Sequence, residues 1–253
     1  MKKTGIAIFD MDDTLVKRED IYVHAQKVLL QTLKEHGADI DIDQGFRALR
    51  DIDYKLASLH GGKYMYDYKE LARALWFHFI EGKNVEEAVK LAFYEGKNGI
   101  NFKPVVEAAE KHNMILEKTV PPLGEDALIV LKALEKRYVL ILLSIGKKAF
   151  QMPVITHYQF DRIFDKIIIS PRKNERVFEK ARKIGLKILS EKYNGSLERI
   201  VVIGDRISQD IAPGKKIGAE TVWIPGPYYP GTPEEAKPNH VISSLSELLD
   251  ILL

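Results

Sequence analysis

Asp10 and Asp12 stand two residues apart at the end of the apolar run Ile6-Ala7-Ile8-Phe9. The run reads as a short buried strand, and in an extended chain this spacing points both carboxyls to one side. Two acids so placed repel each other unless a cation or a shared proton intervenes. Phosphoryl chemistry uses such a pair: one carboxylate attacks phosphorus, the other handles the proton, and a hard divalent cation neutralises the cluster. The bland alternative is a strand-end turn with solvated acids.

Other segments end in the same way. Ile200-Val201-Val202-Ile203 leads into Gly204-Asp205, with Asp210 five residues further on. Val139-Leu140-Ile141-Leu142-Leu143 leads into Ser144-Ile145-Gly146. Ile167-Ile168-Ile169-Ser170 is followed by Pro171-Arg172-Lys173-Asn174, which offers cationic side chains. In a parallel α/β sheet the carboxyl ends of the strands are where ligands bind.

With these residues in order, the chain resembles the haloacid dehalogenase superfamily of aspartate-nucleophile phosphotransferases. Asp10-Met11-Asp12-Asp13-Thr14 is similar to its Asp-x-Asp-x-Thr signature, Ser144 to its strand-end Ser or Thr, Lys173 to its basic residue, and Gly204 to Asp210 to its acidic metal motif. The resemblance covers the chain up to about Lys17 and from Val120 onward. It implies that Asp10 is the nucleophile and Asp12 the general acid/base. It implies Mg²⁺ held by Asp10, by Asp12 through its backbone carbonyl and by Asp205, with Asp210 supporting the ligands or binding through water. Ser144 and the amides of Ile145 and Gly146 would cradle phosphate oxygens, and Lys173 would neutralise the nucleophile. The dehalogenases that name the superfamily lack an acid at the position of Asp12, so the resemblance points to a phosphatase. Two departures stand out. The Pro common after the basic residue is Asn174 here, which leaves Arg172 as an alternative to Lys173, and position 13 is Asp where Gly is usual.

The spacing of these motifs sets the organisation. Residues 17–119 separate the first strand from the rest, more than a strand-helix-strand crossover requires. That stretch shows helical periodicity at Val23, Val28, Leu29 and Leu33, at Phe46, Leu49, Leu56 and Leu59, and at Leu71, Leu75 and Phe79, punctuated by glycines. It predicts a separate helical domain, which in the family would be a cap of the first type closing over the active site. Residues 1–16 and 120–253 then form an α/β core with a Rossmann-like parallel sheet. Helices are expected over 124–136, over 147–157 with an interruption at Pro153, over 174–192, over 210–217 and over 244–252 with Ser244 and Glu247 as a capping box. A further strand is expected over 221–224.

Composition narrows the partners. The chain of 253 residues carries a net charge of only +2, and 17–120 balances sixteen Lys and Arg against seventeen Asp and Glu. Neither is the footprint of a nucleic-acid binder. There is no cysteine, which excludes disulfides and thiolate metal sites. The start has no signal-peptide pattern and no apolar stretch approaches about 18 residues, so a cytoplasmic protein without membrane partners is expected. Residues 60–68, with paired glycines, three tyrosines and Lys63, read either as a substrate-facing loop or as a packed helix connector. Trp76, Phe77 and Phe79 read as core, His78 as a solvated position. The reading is therefore a Mg²⁺-dependent phosphatase of a small phosphorylated metabolite, as monomer or homodimer. A 2-haloacid dehalogenase, a phosphomutase and, more remotely, a non-catalytic binding protein are the alternatives.

Overall fold

The computed structural model describes residues 2–61, 67–97, 102–226 and 231–253. In chain order the elements are β1 (Gly5–Phe9), α1 (Glu19–Glu35), α2 (Ile42–Leu59), α3 (Tyr68–Phe79), α4 (Val85–Lys97), α5 (Lys103–Lys118), α6 (Ala127–Leu134), β2 (Tyr138–Ile145), α7 (Lys148–His157) and α8 (Phe160–Ile163). There follow β3 (Lys166–Ser170), α9 (Glu175–Glu191), β4 (Arg199–Gly204), a π turn (Ile207–Ile211), α10 (Ala212–Lys216), β5 (Glu220–Trp223), α11 (Pro233–Ala236), β6 (His240–Val241) and α12 (Glu247–Leu252). Two compact units emerge: Met1–Glu19 with Pro121–Leu253, and Asp20–Val120.

The first unit is built on one six-stranded sheet in the order β3-β2-β1-β4-β5-β6, every pair parallel. Alternation along the strands supplies both faces. Ala7, Phe9, Leu140, Leu142, Val201 and Ile203 enter the core shared with Leu131, Val154 and Leu248. Ile6, Ile8, Val139, Ile141, Leu143 and Val202 enter a second core with Phe178 and Ala181 of α9. At the end of α9 it is Asn194, at φ 46°, that takes the left-handed turn. Gly195 serves close approach instead, since a Cβ there would lie 2.4 Å from the Lys3 carbonyl.

The second unit contains only helices among its described residues. Leu29, Leu33, Leu49, Leu56, Leu71 and Leu75 form its buried centre, with Trp76 and Phe79 packed against it and Phe77 buried within it. Asp41 and Asp67 cap α2 and α3, each accepting a backbone N–H from the first turn. Among the described helices none is long and apolar enough to cross a membrane.

Several expected boundaries move. The predicted break at Pro153 is absent: α7 runs through it, because Phe150, Gln151, Val154 and Ile155 are buried and hold the helix, while proline removes only one backbone bond there. The strand of Ser144 extends through Ile145. The helix expected over 210–217 is a π turn followed by α10. The last helix begins at Glu247, whose carboxylate accepts the N–H groups of Ser243 and Ser244. His78 is not solvated; its Nδ1 lies 2.8 Å from the Lys83 carbonyl and must donate to it. Leu59, expected in the apolar stripe, is 44% exposed at the end of α2.

At the amino edge of the sheet Asp165 accepts from Lys3, Lys192, Tyr193 and the Leu140 amide. Burial alone would raise its carboxyl, but the bonds from Lys192, Tyr193 and Lys3 outweigh burial and hold it below its ordinary value. Its stabilising contribution is complete above the ordinary carboxylate range, about 4, and is lost as pH falls through the lower folded value. Asp165→Asn is expected to cost roughly 3 kcal/mol at neutral pH, and its deficit in melting temperature should close on acidification below that range. A deficit that stayed constant through the acid range would show that the charge is not what stabilises this edge.

Candidate active site

The strand order turns at β1: the chain continues to β2 on one side and later returns to β4 on the other. A crevice therefore opens at the carboxyl ends of β1 and β4. Phe9 pairs with Ile203 across them, and the Asp10 amide donates to the Ile203 carbonyl at 2.9 Å. The residues after each strand, Asp10 and Asp205, thus emerge side by side. Asp210 returns to the same place through the π turn, a device that recurs at functional sites. Oxygens of Asp10, Asp205 and Asp210 lie within 4.8 Å of one another, and all three residues are buried. Gly204 permits this, because a Cβ there would lie 2.4 Å from Asp210 Cγ.

Lys173 answers the cluster. Its Nζ lies 2.5 Å from Asp10 Oδ1 and 2.6 Å from Asp210 Oδ1, and its side chain is 2% exposed. Arg172 accepts a bond from Ser170 at its carbonyl while Lys173 enters the cluster. Asn174, where the resemblance leads one to expect Pro, accepts the Val177 amide and caps α9.

Asp12 stands apart from the three clustered carboxylates. Its Oδ2 accepts from Gln151 Nε2 at 2.7 Å. Its Oδ1 lies 3.0 Å from Arg18 Nε, an ion pair off the hydrogen-bond direction. Any metal contact from Asp12 therefore falls to its backbone carbonyl. Ser144 is buried at the end of β2 and its Oγ lies 3.0 Å from the same Gln151 nitrogen. The Gly146 amide, expected to serve a phosphate, donates instead to the Ser170 carbonyl at 3.3 Å, because strand pairing with β3 continues past Ile145. Ile145 gives its carbonyl to Gln151 at 2.6 Å. Lys63 lies outside the described residues.

The site is strongly acidic. Among the described residues, Asp10, Asp12, Asp13, Glu19, Asp205 and Asp210 gather around the cations Arg18, Lys173 and Arg206. Burial, reinforced by Asp10 and Asp210, pushes the Asp205 carboxyl well above its ordinary range. Burial raises Asp210 to about 6, with Lys173 opposing and Asp10 adding to the rise. Burial works against the Lys173 ammonium, but Asp10 and Asp210 prevail and hold it charged. Burial raises Asp13 to about 6 against the lowering by the Glu19 and Arg18 amides. Those amides donate to Asp13 Oδ1 at 3.0 and 3.1 Å, so Asp13 caps the start of α1. It does so from φ 59°, the left-handed conformation in which Gly is ordinarily used.

Arg18, Gln151 and Arg206 were not anticipated. Gln151 had a legible signal, since it shares a core-facing register with Ile155 one turn later on α7, and a polar residue at such a position invites a role. Arg206 follows Asp205 directly, its Nε 3.6 Å from Asp205 Oδ2.

Comparison with known proteins agrees with the geometry. The family model of haloacid dehalogenase-like hydrolases matches residues 5–218. Glyceraldehyde 3-phosphate phosphatase of Pyrococcus furiosus is 25% identical over 259 residues, covering 100% of this chain and 94% of that protein. The enzyme of the same name from Methanocaldococcus jannaschii is 23% identical, covering 97% and 95%. A solved structure of YfnB from Bacillus subtilis bound to magnesium has the same fold, with a TM-score of 0.65 at 18% identity over 100% of this chain and 99% of that one.

Lys173→Met removes the cation and leaves the carboxylates crowded. Carboxyls whose folded values are raised stabilise below their unfolded values and lose that contribution as pH rises through the folded ones. In chelator, the variant is expected to melt below wild type by a margin that widens from about pH 5 to about pH 8, the window around the raised Asp210. A margin that narrowed toward high pH would contradict the assigned charge balance.

Proposed function

The chain belongs to the haloacid dehalogenase-like hydrolases, and from that premise we propose that it is a phosphatase of small phosphomonoesters that works through an aspartyl-phosphate on Asp10. The observation that carries this reading is the pairing of two carboxyls with different surroundings. Asp10 sits in the Lys173-bridged cluster, whereas Asp12, two residues on, is held outside it by Gln151 and Arg18. A nucleophile and a separate acid/base are what phosphate-ester hydrolysis requires, and a dehalogenase has no use for the second.

An Asp10 carboxylate oxygen bonds to phosphorus as the ester P–O bond breaks. The electron pair leaves with the ester oxygen, which takes the proton from Asp12. Asp12, now a carboxylate, accepts a proton from water as that water attacks phosphorus, and the bond to Asp10 breaks to release phosphate. Lys173 sets its buried ammonium against the Asp10 carboxyl. The Ser144 hydroxyl, at the end of β2, is placed to meet a phosphoryl oxygen.

The donor set fits a hard divalent cation. Asp205 Oδ1 is buried with no hydrogen-bond partner among the described residues, and oxygen-only carboxylate clusters suit Mg²⁺. Asp10, Asp205 and the Asp12 carbonyl would hold it, with Asp210 supporting them through Lys173 and the Arg206 amide. When bound, the ion neutralises the carboxylates and the charge on the transferring phosphoryl group.

The glyceraldehyde 3-phosphate phosphatases that resemble the chain along its length support a triose phosphate or a similarly small ester as substrate. A cytoplasmic location is consistent with such substrates. Phosphate release from p-nitrophenyl phosphate and glyceraldehyde 3-phosphate is expected with Mg²⁺ and not with chelator. Asp10→Asn should reduce it by about 10³-fold or more. Retention of turnover in Asp10→Asn, or halide release from 2-chloropropionate by wild type, would refute the assignment.

A further inference from the structure

Gln151 is fully buried, and its amide nitrogen has three oxygen neighbours: the Ile145 carbonyl at 2.6 Å, Asp12 Oδ2 at 2.7 Å and Ser144 Oγ at 3.0 Å. A primary amide nitrogen carries two hydrogens. The two shortest contacts run to acceptors without a hydrogen of their own, a carbonyl and a carboxylate, so these take them. The orientation of the amide is therefore fixed: turned over, it would set Oε1 against the Ile145 carbonyl oxygen. Gln151 Oε1 is buried without a hydrogen-bond partner among the described residues. A side chain selected for packing alone would not bury an unanswered acceptor there. Gly146 makes room for the arrangement, because a Cβ at that position would lie 2.8 Å from Gln151 Nε2.

The other oxygen of Asp12 is governed from the same helix. Arg18 Nε faces Asp12 Oδ1, and Arg18 is anchored by donation of its Nη2 to the Phe150 carbonyl at 3.0 Å. Phe150 precedes Gln151 on α7. One turn of α7 thus determines both oxygens of the carboxyl, one directly and one through Arg18. We infer that Gln151 is a positioning residue that aims the Asp12 carboxyl at the leaving oxygen with one amide hydrogen, while the other anchors the amide to the Ile145 carbonyl. The inference rests on the phosphatase reading.

The consequence is a dependence on the leaving group. An alkyl alcohol departs only if it is protonated, whereas p-nitrophenolate leaves as a stabilised anion and needs little help from an acid. A misaimed Asp12 therefore harms alkyl esters selectively, while general damage to the fold harms both alike. The constant to compare is kcat/KM, which ends at departure of the leaving group and excludes hydrolysis of the aspartyl-phosphate.

The experiment compares wild type, Gln151→Met and Gln151→Asn on p-nitrophenyl phosphate and glycerol 2-phosphate with Mg²⁺ present, alongside their melting temperatures. Gln151→Met should lower kcat/KM for glycerol 2-phosphate by about 10-fold or more beyond its effect on the aryl ester. Gln151→Asn, which keeps an amide one methylene short, should fall between. In an Asp12→Asn background, Gln151→Met should add no selectivity between the two esters. Equal losses on both esters in each variant, or added selectivity without Asp12, would overturn the positioning role and leave the phosphatase reading intact. Absence of turnover by wild type on both esters would overturn the phosphatase reading itself.

Discussion

Everything at the carboxyl edge of this sheet answers one electrostatic problem: three carboxylates gathered within reach of a single ion. Parallel pairing of β1 with β4 forces the first two together, because residues that follow register-matched strand ends must emerge as neighbours. The third is brought in by the π turn. Repulsion among them is relieved by the buried ammonium of Lys173, which touches two of the three. The oxygen without a hydrogen-bond partner among the described residues, Asp205 Oδ1, belongs to the carboxylate that the lysine does not touch. The loop after β3, the cap of α9 by Asn174 and the absence of a side chain at Gly204 make sense as conditions for that one contact.

A second arrangement sits on the first. The chain leaves β1, passes both acids of the opening motif and turns into α1 within ten residues. Asp13 closes that turn by accepting the first amides of α1. Asp13, where Gly is usual, therefore has a structural task, and its carboxyl is raised because burial comes with that task. Arg18, next along, returns to Asp12. The start of α1 and the Asp12 carboxyl are thereby joined through neighbouring residues.

Much of this was legible in the sequence, for identifiable reasons. Four apolar runs ending in Asp, Ser or a cationic loop predicted the parallel sheet and the cluster of Asp10, Asp205 and Lys173, because strand polarity alone brings such ends together. The helical period of the middle segment predicted three apolar stripes, which correspond to α1, α2 and α3, and left α4 and α5 unmarked. What sequence reasoning missed depends on three-dimensional approach. Lys173 and Arg172 are adjacent cations, and only the direction of the loop after β3 separates them. The Gly146 amide looked available because pairing past the end of a strand leaves no mark in composition. Pro153 looked like a breaker because its cost is local, while the buried side chains that outweigh it belong to the whole core. At the end of α9 Asn194 takes the left-handed turn, and Gly195 is needed for close approach to the Lys3 carbonyl.

The two edges of the sheet show what separates a carboxylate that stabilises from one that does chemistry. Asp165 at the amino edge and Asp205 at the carboxyl edge are both buried aspartates, with side chains 4% and 2% exposed, and both adjoin strands of the same sheet. Asp165 is surrounded by donors, two lysines, a tyrosine and an amide, and its carboxyl is held down. Asp205 is surrounded by other acids, with one arginine at 3.6 Å, and its carboxyl is held up. Burial pushes both in the same direction, so desolvation cannot be the distinction; the sign is decided by partners. At the amino edge the partners complete the charge within the protein. At the carboxyl edge they leave it incomplete: Asp10 and Asp210 add to burial and a single arginine stands against them. The same residue type is therefore compensated within the protein at one edge and left crowded by its own kind at the other.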